Sequence, residues 1–193
     1  CVFLCSDAVD LTLDPNTAHT RLALSEENRK VTCVSESQSY PDHPERFDYH
    51  PQVLCGESLT GRCYWEAECS GDYTDISVSY KGIRRKGVRS DCVFGLNEKS
   101  WSLIRSDHSL SVRHNNNSTA VSAGSGSCKR VGVCVDESAG TLSFYSVSDT
   151  HTLTRLHTFT HTFTEPLYAG FTLYNVNSSV SLCHNKHTHT HTN

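Results

Sequence analysis

The chain has 193 residues and a formal net charge of −4, with 36% apolar, 9% aromatic and 20% charged residues. That size suits one compact domain, and the mild acidity argues against a dedicated nucleic-acid binder. No apolar run reaches the roughly 18 residues of a membrane span. With no initiator Met and no basic segment leading an apolar one, the sequence reads as a piece of something longer.

The first element is the turn signal Leu13-Asp14-Pro15, followed by residues 16–20, which have room for one short helical turn. From there the dominant pattern has period two. In Cys63-Tyr-Trp-Glu-Ala-Glu-Cys69, Cys63, Trp65, Ala67 and Cys69 share one face, while Tyr64, Glu66 and Glu68 fall on the water side. Ile76, Val78 and Tyr80 alternate with Ser77 and Ser79. Val131, Val133 and Val135 share a parity, as do Leu142 with Phe144, Phe171 with Leu173, and Val180 with Leu182. Trp65 and Trp101 both lie on apolar parities and are expected in the core. No window carries a sustained 3.6-residue stripe. Asp136-Glu-Ser-Ala-Gly140 supplies hairpin turn chemistry, and 122–127 reads as a flexible Gly/Ser loop. The fold class predicted is all-β: an antiparallel β-sandwich of about a dozen strands with a short N-terminal helical turn.

Ten cysteines are about 5% of the chain, below disulfide-scaffold density, and no CxxC pair occurs. Several sit inside strand-like text, where a reduced Cys packs as a small hydrophobe. The even count and the sequons at Asn116, Asn117 and Asn177 keep a secreted setting open. The tail 185–193 alternates His and Thr. His187, His189 and His191 would share a face if extended, but a low-complexity terminus is the simpler reading, and no metal or cofactor is expected.

Enzyme signatures such as GxSxG, HExxH or a P-loop are absent. Glu66 and Glu68 form a carboxylate pair that reads as a solvated strand face. Lys81-Gly-Ile-Arg-Arg-Lys-Gly-Val-Arg89 places five cations in nine residues. It is either a patch for an acidic partner or a solvated turn, and it lacks the interleaved aromatics of a nucleic-acid site.

Three short motifs in this order resemble the PRY–SPRY family. They are Leu13-Asp14-Pro15, Trp65-Glu66-Ala67-Glu68, and a degenerate third, Val135-Asp136-Glu137-Ser138. Leu22-Ala-Leu-Ser-Glu-Glu-Asn-Arg-Lys-Val-Thr32, Phe163-Thr-Glu-Pro-Leu-Tyr-Ala-Gly-Phe171 and Ser179-Val-Ser-Leu-Cys183 fit the same pattern. The style is similar to domains at the C-termini of fish NOD-like receptors and tripartite-motif proteins, and to stonefish-toxin-type proteins. The resemblance implies a bent sandwich over 1–184, with a PRY part at 1–50 and a SPRY part at 51–184. It implies no catalysis, and binding of a protein or peptide ligand through rim loops, with no nucleic acid and no membrane span. Carried over loop by loop, it points to Tyr40, Asp42 and Arg46 on the first loop and Asp75 at a strand start. Arg84, Arg85 and Arg89 follow on the next loop, then Ile104, Arg105 and Asp107, then Tyr174, Asn175 and Asn177. Ile104 and Ser106 stand where some relatives carry tryptophans, which implies a different ligand. The implied parent is a cytoplasmic innate-immune receptor or ubiquitin-ligase-type protein, with a secreted toxin-type protein as the alternative.

Overall fold

A computed structural model describes residues 8–121 and 128–184. The Gly/Ser segment 122–127, the His-Thr tail 185–193, Cys1 and Cys5 lie outside the described residues. The described residues form thirteen strands: β1 (Leu22–Ser25), β2 (Lys30–Cys33), β3 (Gln52–Leu54), β4 (Arg62–Ser70), β5 (Thr74–Tyr80), β6 (Ser100–Arg105), β7 (Leu110–His114), β8 (Asn117–Val121), β9 (Arg130–Asp136), β10 (Thr141–Val147), β11 (Leu153–Thr160), β12 (Leu167–Leu173) and β13 (Ser179–Leu182). They form a seven-stranded sheet, β1-β2-β13-β4-β9-β10-β11, and a six-stranded sheet, β3-β12-β5-β6-β7-β8. The pairings within both are antiparallel.

The alternating residues build the core between the sheets. Trp65, Ala67, Val131, Val133 and Val180 face it from one sheet; Ile76, Val78, Trp101, Leu103 and Phe171 face it from the other, all buried. The Trp65 and Phe171 rings meet edge to face at 5.7 Å, which ties the two layers together. The Leu13-Asp14-Pro15 motif fastens the N-terminal part onto β3. Leu13 bridges Cys55, and the Asp14 N–H donates to the Leu54 carbonyl at 2.9 Å. The short helical turn expected over 16–20 does not form; a single turn spans residues 14–17 instead, closed by the Thr17 N–H on the Asp14 carbonyl at 3.1 Å. A 3-10 turn occupies Ser90–Cys92.

Two expectations of solvent-facing side chains change. Tyr64 lies on the outer parity of β4 yet is buried, packed with Cys134 and Tyr145 in a small second cluster. Its hydroxyl donates to Glu66 Oε2 at 2.6 Å. Gly132 on the paired strand makes room for it: a Cβ there would stand 2.5 Å from the Tyr64 hydroxyl. β5 is buried along its whole length, Ser77 and Ser79 included. The cause is the long strap of residues 81–99, which leaves the end of β5 and crosses the outer face of the six-stranded sheet. Phe47, Leu54, Ile83 and Phe94 pack beneath it as a third cluster. Gln52 holds the strap down, donating to the Cys92 carbonyl at 2.6 Å and accepting from the Phe94 N–H at 3.0 Å and the Thr172 hydroxyl at 3.2 Å. Under that cover the serines satisfy one another, Ser77 Oγ lying 2.8 Å from Ser102 Oγ.

Candidate functional site

Cross-strand register assembles the site. Thr172, Asp75, Ile104 and Ser111 form one row across β12, β5, β6 and β7, on the outer face at the end of the sheet that the strap leaves open. Asp75 is fully buried in this row. Its Oδ2 accepts from the Tyr174 hydroxyl at 2.8 Å and lies 3.5 Å from Arg113 Nη2. Asp75 Oδ1 and Arg113 Nε have no hydrogen-bond partner. Burial pushes the Asp75 carboxyl up to about 7, outweighing the Tyr174 hydrogen bond and the Arg113 charge. Burial, then the neighbouring Asp75 charge, raises the Tyr174 hydroxyl. Arg113 also donates to the Phe94 carbonyl at 3.0 Å, so the strap and this cluster brace each other.

Around that polar centre stand exposed aromatic and apolar groups. Tyr174 is 44% exposed, Tyr73 50% and Val176 49%, while Ile104 is half-buried. The Leu173 N–H donates to the Pro51 carbonyl, which runs residues 49–51 alongside this end of β12. There Tyr49 packs edge to face on His50, and His50 Nε2 lies 3.0 Å from the carbonyl of exposed Val88. The loops are held by polar clasps. Asp72 Oδ1 accepts from the Asp107 N–H at 2.8 Å, Asn175 Nδ2 donates to the Asp72 carbonyl at 3.2 Å, and the Asn177 N–H donates to the Cys33 carbonyl at 2.8 Å.

The residues carried over from the resemblance divide into four groups. Asp75, Ile104, Tyr174, Asn175 and Asn177 gather at the rim just described. Arg46 and Arg85 are buried and occupied. Arg46 donates to the carbonyls of Pro15, Ala18 and Pro41, with its guanidinium over the Tyr40 ring at 4.9 Å. Arg85 donates to the carbonyls of Lys81, Ile83 and Glu45. These guanidiniums shape the first loop and the strap from within. Tyr40 is similarly tied, its hydroxyl donating to the Leu22 carbonyl at 2.6 Å. Arg84 pairs with Asp91 at 3.0 Å, and Asp42 and Arg89 are exposed on loop tips. The basic run 81–89 is therefore largely spent on holding the strap. Arg105 and Asp107 turn to the other side of the 70–73 turn, into a separate cleft. Arg113, Tyr73, Val176, Tyr49 and Val88 were missed; only Arg113 had a readable signal, its outward parity in Leu110-Ser-Val-Arg-His114.

Trp101 and Trp65 are both core. None of the eight described cysteines is in a disulfide. Among the described residues no group of three or more His, Cys, Asp or Glu side chains is placed to share a metal ion, and no helix is long and apolar enough to cross a membrane.

Comparison with known proteins bears on this geometry. Residues 11–59 match the PRY model, the SPRY-associated domain, and residues 62–186 match the SPRY domain model. The chain is 46% identical over 163 residues to stonustoxin subunit beta of Synanceia horrida, covering 84% of this chain and 23% of that protein. It is 40% identical over 169 residues to tripartite motif-containing protein 16 of Mus musculus, covering 86% and 30%. Among solved structures it superposes on stonustoxin with a TM-score of 0.87 at 36% identity, over 93% of this chain and 29% of that one. On the TRIM65 PSpry domain it superposes with a TM-score of 0.84 at 30% identity, over 94% and 93%. The chain thus spans only about a quarter of the curated relatives' length.

Proposed function

This chain belongs to the PRY–SPRY family, a family of protein-interaction domains, and from that premise we propose that it is a non-enzymatic module recognising a polypeptide ligand through the rim around Tyr174. The observation that carries this reading is the pairing of a polar centre, Asp75–Tyr174–Arg113, with exposed Tyr73, Val176, Tyr49 and Val88 and half-buried Ile104. Interface energy concentrates in aromatic anchors set among groups that fix register. Loops clasped at both ends lose little conformational entropy on binding. Residues 1–184 act as one unit on this reading, since β1 and β2 of the PRY part complete the sheet that β13 and β4 begin.

Peptides selected from a displayed random library on the intact chain provide the test. Tyr174→Ala and Ile104→Asp are expected to weaken the selected peptides at least about tenfold, with the melting temperature of Ile104→Asp close to wild type. Peptides indifferent to both substitutions would place recognition elsewhere. The parent is proposed as a cytoplasmic immune receptor or ubiquitin-ligase-type protein, supported by the likeness to tripartite motif-containing protein 16 and by the lack of a disulfide among the eight described cysteines. The likeness to stonustoxin subunits favours a second reading, a domain of a secreted toxin-type protein. Counting free thiols in the native, unreduced parent separates the two: a full complement supports the first and bridges support the second.

A further inference from the structure

On the far side of the 70–73 turn lies a cleft of about 500 Å³ lined by Lys30, Lys129, Arg105, Ser70, Ser179 and Ser181, together with the carboxylates Glu68 and Asp107. Register builds it: Lys30, Ser181, Glu68 and Arg130 form one row across β2, β13, β4 and β9, and Ser179 stands opposite Ser70. Val31, Val180, Cys69 and Val131 point from these strands into the core, so the polar row faces out.

The charges are not equally engaged. Glu68 Oε2 lies 3.3 Å from Arg130 Nη2, and Asp107 Oδ1 lies 3.6 Å from Arg105 Nη2. Arg105 is 2% exposed, and its fork is taken up by the carbonyls of Gly71 and Cys128. Lys30 and Lys129 face no carboxylate within ion-pair distance among the described residues, and the hydroxyls of Ser70, Ser179 and Ser181 are uncommitted there. Two lysines without an ion-pair partner and three uncommitted serine hydroxyls thus line one cleft with the buried Arg105, and both of its carboxylates are paired with arginines.

We propose that this cleft binds a dianionic phosphoryl group. A planar carboxylate is best met by an open guanidinium fork, and the one present is occupied. Point-charge ammoniums and hydroxyls approaching from several directions suit a tetrahedral oxyanion with acceptors on every side. The site is separate from the polypeptide rim and stands whether or not that rim does.

The test is an amide NMR titration of the intact chain with inorganic phosphate, against chloride at matched ionic strength, and in parallel with O-phosphoserine. Saturable shifts are expected at Lys30, Lys129 and Ser179 to Leu182. Lys30→Gln/Lys129→Gln should weaken binding about tenfold or more, Ser181→Ala less, and Lys99→Gln, a cation elsewhere on the surface, not at all. Stronger binding of O-phosphoserine than of free phosphate would assign the group to a modified side chain; the reverse order would assign it to a free anion. Shifts that do not saturate, or an affinity that survives loss of both lysines, would overturn the proposal.

Discussion

Replacing Tyr174 with Phe deletes one hydroxyl and nothing else, at the point where the rim's only fully buried carboxylate is held. In the native chain Asp75 Oδ2 has the Tyr174 hydroxyl at 2.8 Å and Arg113 at 3.5 Å, while Oδ1 has no partner. Losing the shorter contact leaves a buried acceptor unsatisfied, which costs about 1–3 kcal/mol when the group is charged. In a domain of this size that lowers the melting temperature by roughly 2–10 °C. The pH dependence is the sharper signature. Burial lifts the folded carboxyl of Asp75 to about 7, above the roughly 4 of an aspartate in the unfolded chain. Between those two values the native state binds the proton and the unfolded state has released it. Stability contributed here is therefore full below the unfolded value and is lost as pH rises through 7. Tyr174→Phe removes a donor that favours the ionised form, so the carboxyl moves further up and the substitution costs more at pH 8 than at pH 5.5. Carbon-13 titration of the Asp75 carboxyl, with melts at both pH values, reads both effects. An unchanged or lowered Asp75 titration point, or an equal loss of stability at the two pH values, would refute this reasoning.

Further substitutions probe the scaffold. Asp75→Asn should flatten the stability profile between pH 5 and 8, seen by thermal melts in a pH series. Gly132→Ala brings a Cβ to 2.5 Å from the Tyr64 hydroxyl and should destabilise by about 1–3 kcal/mol in urea denaturation. Gly61→Ala meets nothing within 4 Å at φ +66° and should cost only about 1 kcal/mol. Arg46→Met strips the carbonyls of Pro15, Ala18 and Pro41 of their donor, so amide exchange should accelerate across residues 40–47 with a loss of about 3 kcal/mol or more. In the native protein the half-buried Cys183 thiol, raised to about 11, should react with a thiol reagent before buried Cys55 and Cys69, the latter raised to about 12; mass mapping after partial labelling gives the order.

What the sequence made legible was whatever depends on parity. Trp65, Trp101, Ile76 and Val133 are core because alternation leaves them no other face, and the motif order pointed to the family. What it hid depends on covering. Nothing in Thr74-Asp-Ile-Ser-Val-Ser-Tyr80 announces that both faces are buried, since the strap over them comes from residues that read as a basic loop. The same blindness affected Arg46, Arg85 and Arg105. A guanidinium in loop text looks like a ligand contact, and only the surrounding carbonyls identify it as a fastener. Tyr174 was found through the resemblance, whereas Tyr73 and Val176 lie in turns whose composition carries no such mark.

The Gln52 carboxamide joins three stretches of chain that are 40 to 120 positions apart: the strap at Cys92 and Phe94, the edge strand that carries it, and Thr172 on the neighbouring strand. The strap cannot lift without stripping that amide and prising at the sheet margin. Strap and margin should then open as one cooperative unit in hydrogen exchange, and slow breathing of this corner would set how fast the surface reshapes for a new guest.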